Sequence, residues 1–508
     1  MVATGVPTAL ALGLSVALAA GSTVGPLTAV PTESVTSTAA CAALVAQQQA
    51  LGSVNYPNAE VEPYVAVDPT NSQHLIGAFQ EGRWNDGGAN ALTTVVSTNG
   101  GRSWNLAGAQ PLFSVCAGAP AGSPGDTPRV SDPWVSFAPD GSAYQVSSSF
   151  FVQGPAFGGD SRILVSKSTD GGQSWASPVI LLDTPSPLAV NDKESVTADP
   201  TDARRVYVVW DQLVSPTSTA NPDAFAHTFA FRGPTFLAMT ADGGNTWQPA
   251  HAIYDPGQNR QTIANQIVVL PDGTLIDGFC LVTSTASQSG RIPTSFAVQL
   301  IRSTDHGATW SAPVTISPLI DTSVTTLTGL PVRTGDSVPT WAVNPVSGAL
   351  YVVWQDGRFA ADGHAQIAFA QSTDGGLDWS TPVRINTVSA TQAFTPQLSV
   401  ATDGSLGVSY YDMRHASSAA PGTANYFLVS CTPSTTDCAN PAHWSESQLD
   451  SQSGFDMTTA PNTLGGGFFV GDYEGLAAVA TSFSSLFVLA QPEATQGPTD
   501  VFSTTVRR

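Results

Sequence analysis

One eight-residue pattern returns five times along this chain: Ser97–Trp104 (STNGGRSW), Ser168–Trp175 (STDGGQSW), Thr240–Trp247 (TADGGNTW), Ser303–Trp310 (STDHGATW) and Ser372–Trp379 (STDGGLDW). Each copy places Ser or Thr first, Asp or Asn third, Gly fifth and Trp eighth. These are the parts of a tight β-turn. The carboxylate or amide accepts from turn N–H groups, Gly takes positive φ, and Trp packs back onto the sheet. The copies start 71, 72, 63 and 69 residues apart. One supersecondary unit is therefore repeated, and a period of that size points to the blades of a propeller.

A second unit recurs between the motifs. Tyr64 to Val67, then DPTNSQ, then His74 to Phe79 reads as strand, turn, strand. The reading repeats at Trp134 to Val146, Ser195 to Trp210, Gln266 to Cys280, Thr340 to Trp354, Gln397 to Tyr410 and Leu476 to Leu489, giving seven inner hairpins. The predicted fold is all-β, a β-propeller of four-stranded blades. Seven blades are favoured, or six if Leu476 to Val506 pairs differently. The last hairpin is followed only by Val501 to Val506, so an outermost strand is missing. The expected donor is a segment before the first blade, within 42–59, which would close the ring and hide its edges.

Charged residues are only 11% of the 508, and 39 acids against 18 bases give a formal net charge of -21. Just two bases are lysines, Lys167 and Lys193. Such a surface repels phosphate backbones and anionic membrane faces, so neither nucleic acid nor membrane is an expected partner. The apolar run from about Ala9 to Ala20, closing on Ala17-Leu18-Ala19, reads as a signal peptide, although no Lys or Arg precedes Arg83. We expect 1–22 as signal, 23–54 as a Thr/Ser/Ala-rich linker with a closing strand, and 55–508 as the propeller. The protein is then secreted, soluble and monomeric. In an oxidising compartment Cys431 with Cys438 is the expected hairpin staple and Cys41 with Cys116 a second bridge, leaving Cys280 as a buried thiol. No Cys/His spacing suggests zinc, and no metal is expected.

If the five motifs are the turns between strands three and four, they share one face of the disc, and the loops entering strand one or leaving strand two share the other. That second face collects the charges. Entering loops hold Glu62, Arg129 with Asp132, Asp192-Lys193-Glu194, Arg333 with Asp336, and Asp472-Tyr473-Glu474. Exits hold Glu81 with Arg83, Asp211, Asp356 with Arg358, and Asp412 with Arg414. In a chain with so few charges this concentration marks a functional face. Three exits share an acid-x-Arg form, read either as local ion pairs that pin loops or as a cluster of guanidinium groups.

The five motifs resemble the Asp boxes of the sialidase superfamily over roughly residues 55–508. The resemblance implies an exported, retaining glycoside hydrolase of exo-α-sialidase type, without a cofactor, acting on terminal sugars of extracellular glycans. It also implies an arginine clamp on the substrate carboxylate, for which Arg83, Arg358 and Arg414 are the candidates, with Arg333 and Arg129 in reserve. The family's Tyr nucleophile matches Tyr473; its activating Glu is Glu474 or Glu194, and the acid is Asp132 or Asp86. This chain departs from the family where an Arg-Ile-Pro precedes the first Asp box. The stretch here reads Val61-Glu62-Pro63-Tyr64, and Arg291-Ile292-Pro293 falls elsewhere. Two alternatives stay open: a non-catalytic propeller binding glycans or peptides through the same face, with Trp84, Trp134 and Tyr473 as stacking platforms, and a glycosidase or lyase using two carboxylates such as Asp132 and Asp472.

Overall fold

Antiparallel strands dominate the computed structural model, which describes residues 22–32, 38–152, 157–186, 188–215, 231–287, 290–434, 436–464, 466–491 and 497–507. The expected signal segment falls almost wholly outside these residues. The hairpins read from the sequence form because their turns supply their own acceptors. Asp68 accepts from the N–H of Thr70 (2.7 Å), Asp199 from Thr201 (2.8 Å), Asp140 from Ser142 (2.9 Å), Asp272 from Thr274 (2.9 Å), Asn344 from Val346 (2.9 Å) and Asp403 from Ser405 (3.0 Å). The eight-residue motifs close in the same manner. Ser168 Oγ accepts from Gly172 N (2.8 Å) and donates to Asp170 Oδ1 (2.8 Å), which accepts from Ser174 N (2.9 Å). The equivalent Ser or Thr to Gly bond is 2.9, 3.0, 2.8 and 3.0 Å in the other four.

The first strand of each hairpin packs against the first strand of the next. Glu60–Asp68 lies against Arg129–Phe137, that against Ala189–Ala198, then Arg260–Val269, Thr340–Val343, Ala393–Val400 and Gly475–Val479, which returns to Glu60–Asp68. Between successive sheets lie apolar layers. Ile276, Cys280 and Leu300 meet Trp341, Val352 and Trp354, and Trp134, Val146 and Ile163 meet Val196, Val208 and Trp210. Each such side chain contributes about 1.5–3 kcal/mol on full burial. Cys280 is a buried free thiol, and both expected disulfides form, Cys41 with Cys116 and Cys431 with Cys438. No helix among the described residues is long and apolar enough to cross a membrane.

An N-terminal segment does complete the last sheet, but it lies earlier than expected. Thr23–Val24 and Thr28–Ala29 pair antiparallel with Thr499–Arg507, reinforced by Gly25 N to Thr505 O (2.7 Å) and Val30 N to Val501 O (2.9 Å). The stretch where the donor strand was expected begins instead as a helix, Ala39–Ala50, because AACAALVAQQQA has helix-forming residues and Thr38 caps it by accepting from Cys41 N. Arg291-Ile292-Pro293 belongs to the long strand Gly290–Ser303. Removing residues 1–21 is predicted to leave thermal stability unchanged. Removing 1–32 strips the paired edge and Val30, should cost about 2–5 kcal/mol, and should lower the melting temperature measurably. Equal melting of the two truncations would contradict this closure.

Candidate functional site at the mouth of the strand ring

Five of the seven innermost strands share an irregularity that aims side chains inward. Their register breaks between Val61 and Tyr64, Ser131 and Trp134, Asp192 and Ser195, Ile263 and Gln266, and Phe394 and Gln397. At each break one residue has left-handed φ: Glu62 (54°), Asp132 (52°), Lys193 (50°), Ala264 (58°) and Thr395 (50°). An extra residue at a bulge re-aims its side chain, and this conformation costs a non-glycine roughly 1–2 kcal/mol. The return is convergence. Lys193 Nζ lies 3.4 Å from Glu62 Oε1, 3.2 Å from Asp132 Oδ1 and 2.8 Å from Asp472 Oδ2. The first strands of three consecutive hairpins and the loop before Gly475–Val479 thus meet at one ammonium group.

The cluster extends through Asp472. Its N–H donates to Glu62 Oε1 (3.2 Å), and Arg333 grips its carboxylate with Nη2 (2.6 Å) and Nε (3.2 Å). Arg333 stands on a small sheet made by Val324–Thr325, Pro331–Arg333, Gly467–Phe469 and Asn462–Thr463, in which Phe469 is its register partner. The Arg83 and Arg333 guanidinium carbons lie 4.7 and 4.5 Å from the Phe469 ring centroid. Arg83 donates to Gln80 Oε1 (2.7 Å), while its Nε is buried without a hydrogen-bond partner. Gln80 in turn hydrogen-bonds Glu62.

Two adjoining cavities open on these groups. One, of about 60 Å³, is lined by Glu62, Arg83, Asp86, Asp132, Asp192 and Lys193 among others. The second, of about 250 Å³, is bounded by Asp321, Arg333, Asp336 and Asp472 with the apolar Ile263, Phe296, Val332 and Val338. Lys193 and Arg333 line both. The electrostatics separate the carboxyls. Burial alone would raise Asp472, but the charges and hydrogen bonds of Arg333 and Lys193 outweigh it and hold this carboxyl well below the usual range. Asp336 is pushed up to about 7, by burial first and then by Asp321 and Asp472. Glu62, Asp132 and Asp192 are raised by burial, with Lys193 opposing. Burial also works against the charge of Lys193, but its surrounding carboxylates keep it cationic. Among the described residues no group of three His, Cys, Asp or Glu side chains is placed to hold a metal ion.

The proposed arginine clamp is not assembled by these contacts. Arg358 is spent on Asp356 (2.9 and 2.7 Å), and Arg414 on Asp412 (2.7 Å) and Glu446 (2.6 and 3.0 Å); neither lines the two cavities. Arg129 is buried against the Trp84 ring (4.4 Å) and bound to Asp86 (2.5 Å), Ser53 (3.0 Å) and Gln48 (3.2 Å), so it ties the helix to the first sheet. Arg83 and Arg333 are the two of the five that reach the cavities. Glu474 points into the core, accepting from Tyr411 OH (2.9 Å) and Val488 N (3.2 Å). Tyr473 is buried edge-on to Trp134 (5.5 Å) with Lys193 Nζ 5.6 Å from its ring. Burial, then Asp132, Glu62 and Glu194, raises its hydroxyl well above the usual tyrosine value, the opposite of an activated nucleophile. Glu194 is likewise buried and raised, by burial and by Asp132. Asp132 and Asp86 both line the smaller cavity.

Lys193, Glu62, Asp192 and Asp336 sit on the expected face but outside the expected catalytic and binding set, and no sequence pattern singles out Phe469. One signal was available: Lys193 is one of two lysines in the chain.

No protein-family model matches the chain, and no curated protein matches it. Solved structures do resemble it at low identity. A Hadza microbial sialidase is 15% identical over 83% of this chain and 75% of its own, with a TM-score of 0.45. The NanB sialidase of Streptococcus pneumoniae is 9% identical over 89% and 94%, at 0.46. An α-L-arabinanase of Penicillium chrysogenum is 13% identical over 70% and 92%, at 0.45. At such scores activity has to be argued from the site itself.

The two opposed carboxyls give opposite pH signatures. Asp336 has its folded pKa raised from about 3.9 to about 7, so its stabilising contribution is complete at low pH and disappears as pH rises through that window. Asp472 has its folded pKa depressed, so its contribution is present above the usual carboxylate range and is lost on acidification. Urea midpoints followed between about pH 4 and pH 8 should fall less steeply in Asp336→Asn than in wild type. Parallel curves would refute the assignment.

Proposed function

We propose that the chain is a secreted glycoside hydrolase of the Asp-box type, a seven-bladed propeller closed by Thr23–Ala29, that removes terminal acidic sugars from extracellular glycans. The observation that carries the reading is the pair Asp336 and Asp472 in one cavity, with environments that push one carboxyl up and the other down. Such divergence is how a site divides acid from base. Asp336, protonated near neutrality, gives its proton to the glycosidic oxygen. Asp472, ionised, faces the positive charge that develops at the anomeric carbon, and water completes the hydrolysis. Arg83, with an unused buried donor, and Arg333 supply the cationic edge that an acidic sugar such as a sialic acid requires. Two disulfides and an export-like N-terminus support secretion.

The buried hydroxyl of Tyr473 favours carboxylate chemistry over a tyrosine nucleophile. It also favours a second reading, a propeller that binds glycans without cleaving them. The test is hydrolysis of fluorogenic α-sialosides, α-L-arabinofuranosides and β-glucuronides by protein lacking residues 1–21. Asp336→Asn and Asp472→Asn should each lower kcat about 10²–10⁴-fold, and Arg83→Ala should raise KM for the acidic glycoside. The wild-type rate should fall as pH rises through about 7, when Asp336 loses its proton. Folded protein that binds sialosides without turning over any of the three would replace hydrolysis by binding.

A further inference from the structure

Three carboxyls that the hydrolase reading does not use meet where the N-terminal strap leaves the last sheet. Glu60 and Glu81 are direct register partners on Glu60–Asp68 and Asn71–Arg83. Val501 N donates to Glu60 Oε2 (2.6 Å), and Asp500 is the neighbour of Val501 in Thr499–Arg507. On the strap, Val30 N donates to Val501 O (2.9 Å), and two residues further on the Thr32 hydroxyl donates to Glu81 Oε2. Glu60 thus supplies the acceptor for the Val501 N–H at the point where the strap's pairing stops, and Glu81 hooks the strap beyond it.

All three side chains are buried, and among the described residues Glu81 Oε1 and Asp500 Oδ1 have no hydrogen-bond partner. The charged groups that act on them are one another: Glu81 and Asp500 on Glu60, and Asp500 on Glu81. Other charges of the same strands are engaged elsewhere. Glu62 turns to Lys193 and Gln80, Arg83 donates to Gln80 Oε1 (2.7 Å), His74 lies against Asp68 (3.2 Å), and Arg507 stands at the far end of its strand opposite Thr23. Like charges directly opposite in a sheet repel, and a buried carboxyl without a cation favours its neutral form. Burial pushes Glu81 up to about 8, with the Thr32 hydrogen bond opposing and Asp500 adding. Burial raises Asp500 to about 6, and burial with Glu81 raises Glu60.

We propose that Glu60, Glu81 and Asp500 are a pH-sensitive latch on residues 22–32: protonated, they hold the strap against Thr499–Arg507, and ionised, they repel one another and release it. The latch is independent of any catalysis. Carboxyls raised in the closed state favour closure at low pH. Their contribution fades as pH rises above the usual carboxylate value of about 4 and is gone once pH passes about 8. Release leaves the outer edge of Thr499–Arg507 unpaired, a template for pairing with another chain that the closed strap removes.

The test is amide hydrogen exchange of the full-length protein between pH 5 and pH 9, read by mass spectrometry and corrected for the intrinsic exchange rate. In wild type the protection of 22–32 and 499–507 should fall about tenfold or more across that range, while Leu350–Asp356 keeps its own. Glu81→Gln retains an acceptor for Thr32 but cannot ionise, so its strap should keep most of the acid-side protection at pH 9. Asp500→Asn should also reduce the fall, and it decides the matter if Glu81→Gln does not fold. Thr32→Val, which removes the hook, should lower strap protection already at pH 5. A wild-type strap equally protected at pH 5 and pH 9, a fall shared equally by Leu350–Asp356, or a fall of the same size in both neutral variants would overturn the latch.

Discussion

The ammonium group of Lys193, seated among Glu62, Asp132 and Asp472, is the contact on which the rest of the site depends. Its carboxylate partners come from the first strands of two neighbouring hairpins and from the loop that leads into Gly475–Val479. A buried ion cluster of this kind is not a source of net stability, since desolvation offsets most of the attraction, but removing one member strands the others at roughly 3–5 kcal/mol. Register slips or altered sheet order would leave a charge unpaired in the interior, a cost that weighs against such alternatives. At three of the five bulges the left-handed residue, Glu62, Asp132 or Lys193, is itself a member of this cluster.

From Lys193 the consequences run outward. Its charge, added to that of Arg333, keeps Asp472 ionised despite burial. The ionised Asp472, with Asp321, then opposes ionisation of Asp336. Arg333 and Arg83 converge on the face of Phe469, where cation–π attraction offsets some of their mutual repulsion. A chain with only 11% charged residues thus concentrates opposite charges at one end of its ring of inner strands.

The parts of this architecture set by local chemistry were legible in the sequence. Turns such as Asp68 with Thr70 and Ser168 with Gly172 are written within a few residues, and so is the Cys431 to Cys438 staple. The site was legible only as a face. Arg358 and Arg414 each pair with the acid two residues before, as a local ion pair would, but they do so from turns just past the strand ends Asp356 and Asp412, where the acid also accepts from the arginine N–H. Glu81 and Arg83 do not pair, because Gly82 between them takes φ of 73° and breaks the alternation, sending Glu81 to Thr32 and Arg83 to Gln80. The bulges defeat a period of two in the same way. Nothing in Asp192-Lys193-Glu194 announces that Lys193 reaches the cluster while Glu194 turns into the interior. The closing strand was displaced to Thr23–Ala29 because two short two-residue pairings carry almost no pattern of their own.

The most direct check on this account is to follow protonation of the two carboxyls themselves, by infrared difference titration of wild type against Asp336→Asn and Asp472→Asn. The account predicts a carboxylic acid band that titrates near pH 7 and is absent from Asp336→Asn, with no acid band assignable to Asp472 at any pH where the protein stays folded. An Asp336 that ionises in the usual carboxylate range, or an Asp472 that takes up its proton beside it, would mean that Lys193 and Arg333 do not separate the two groups, and the division of the site into acid and base would be wrong.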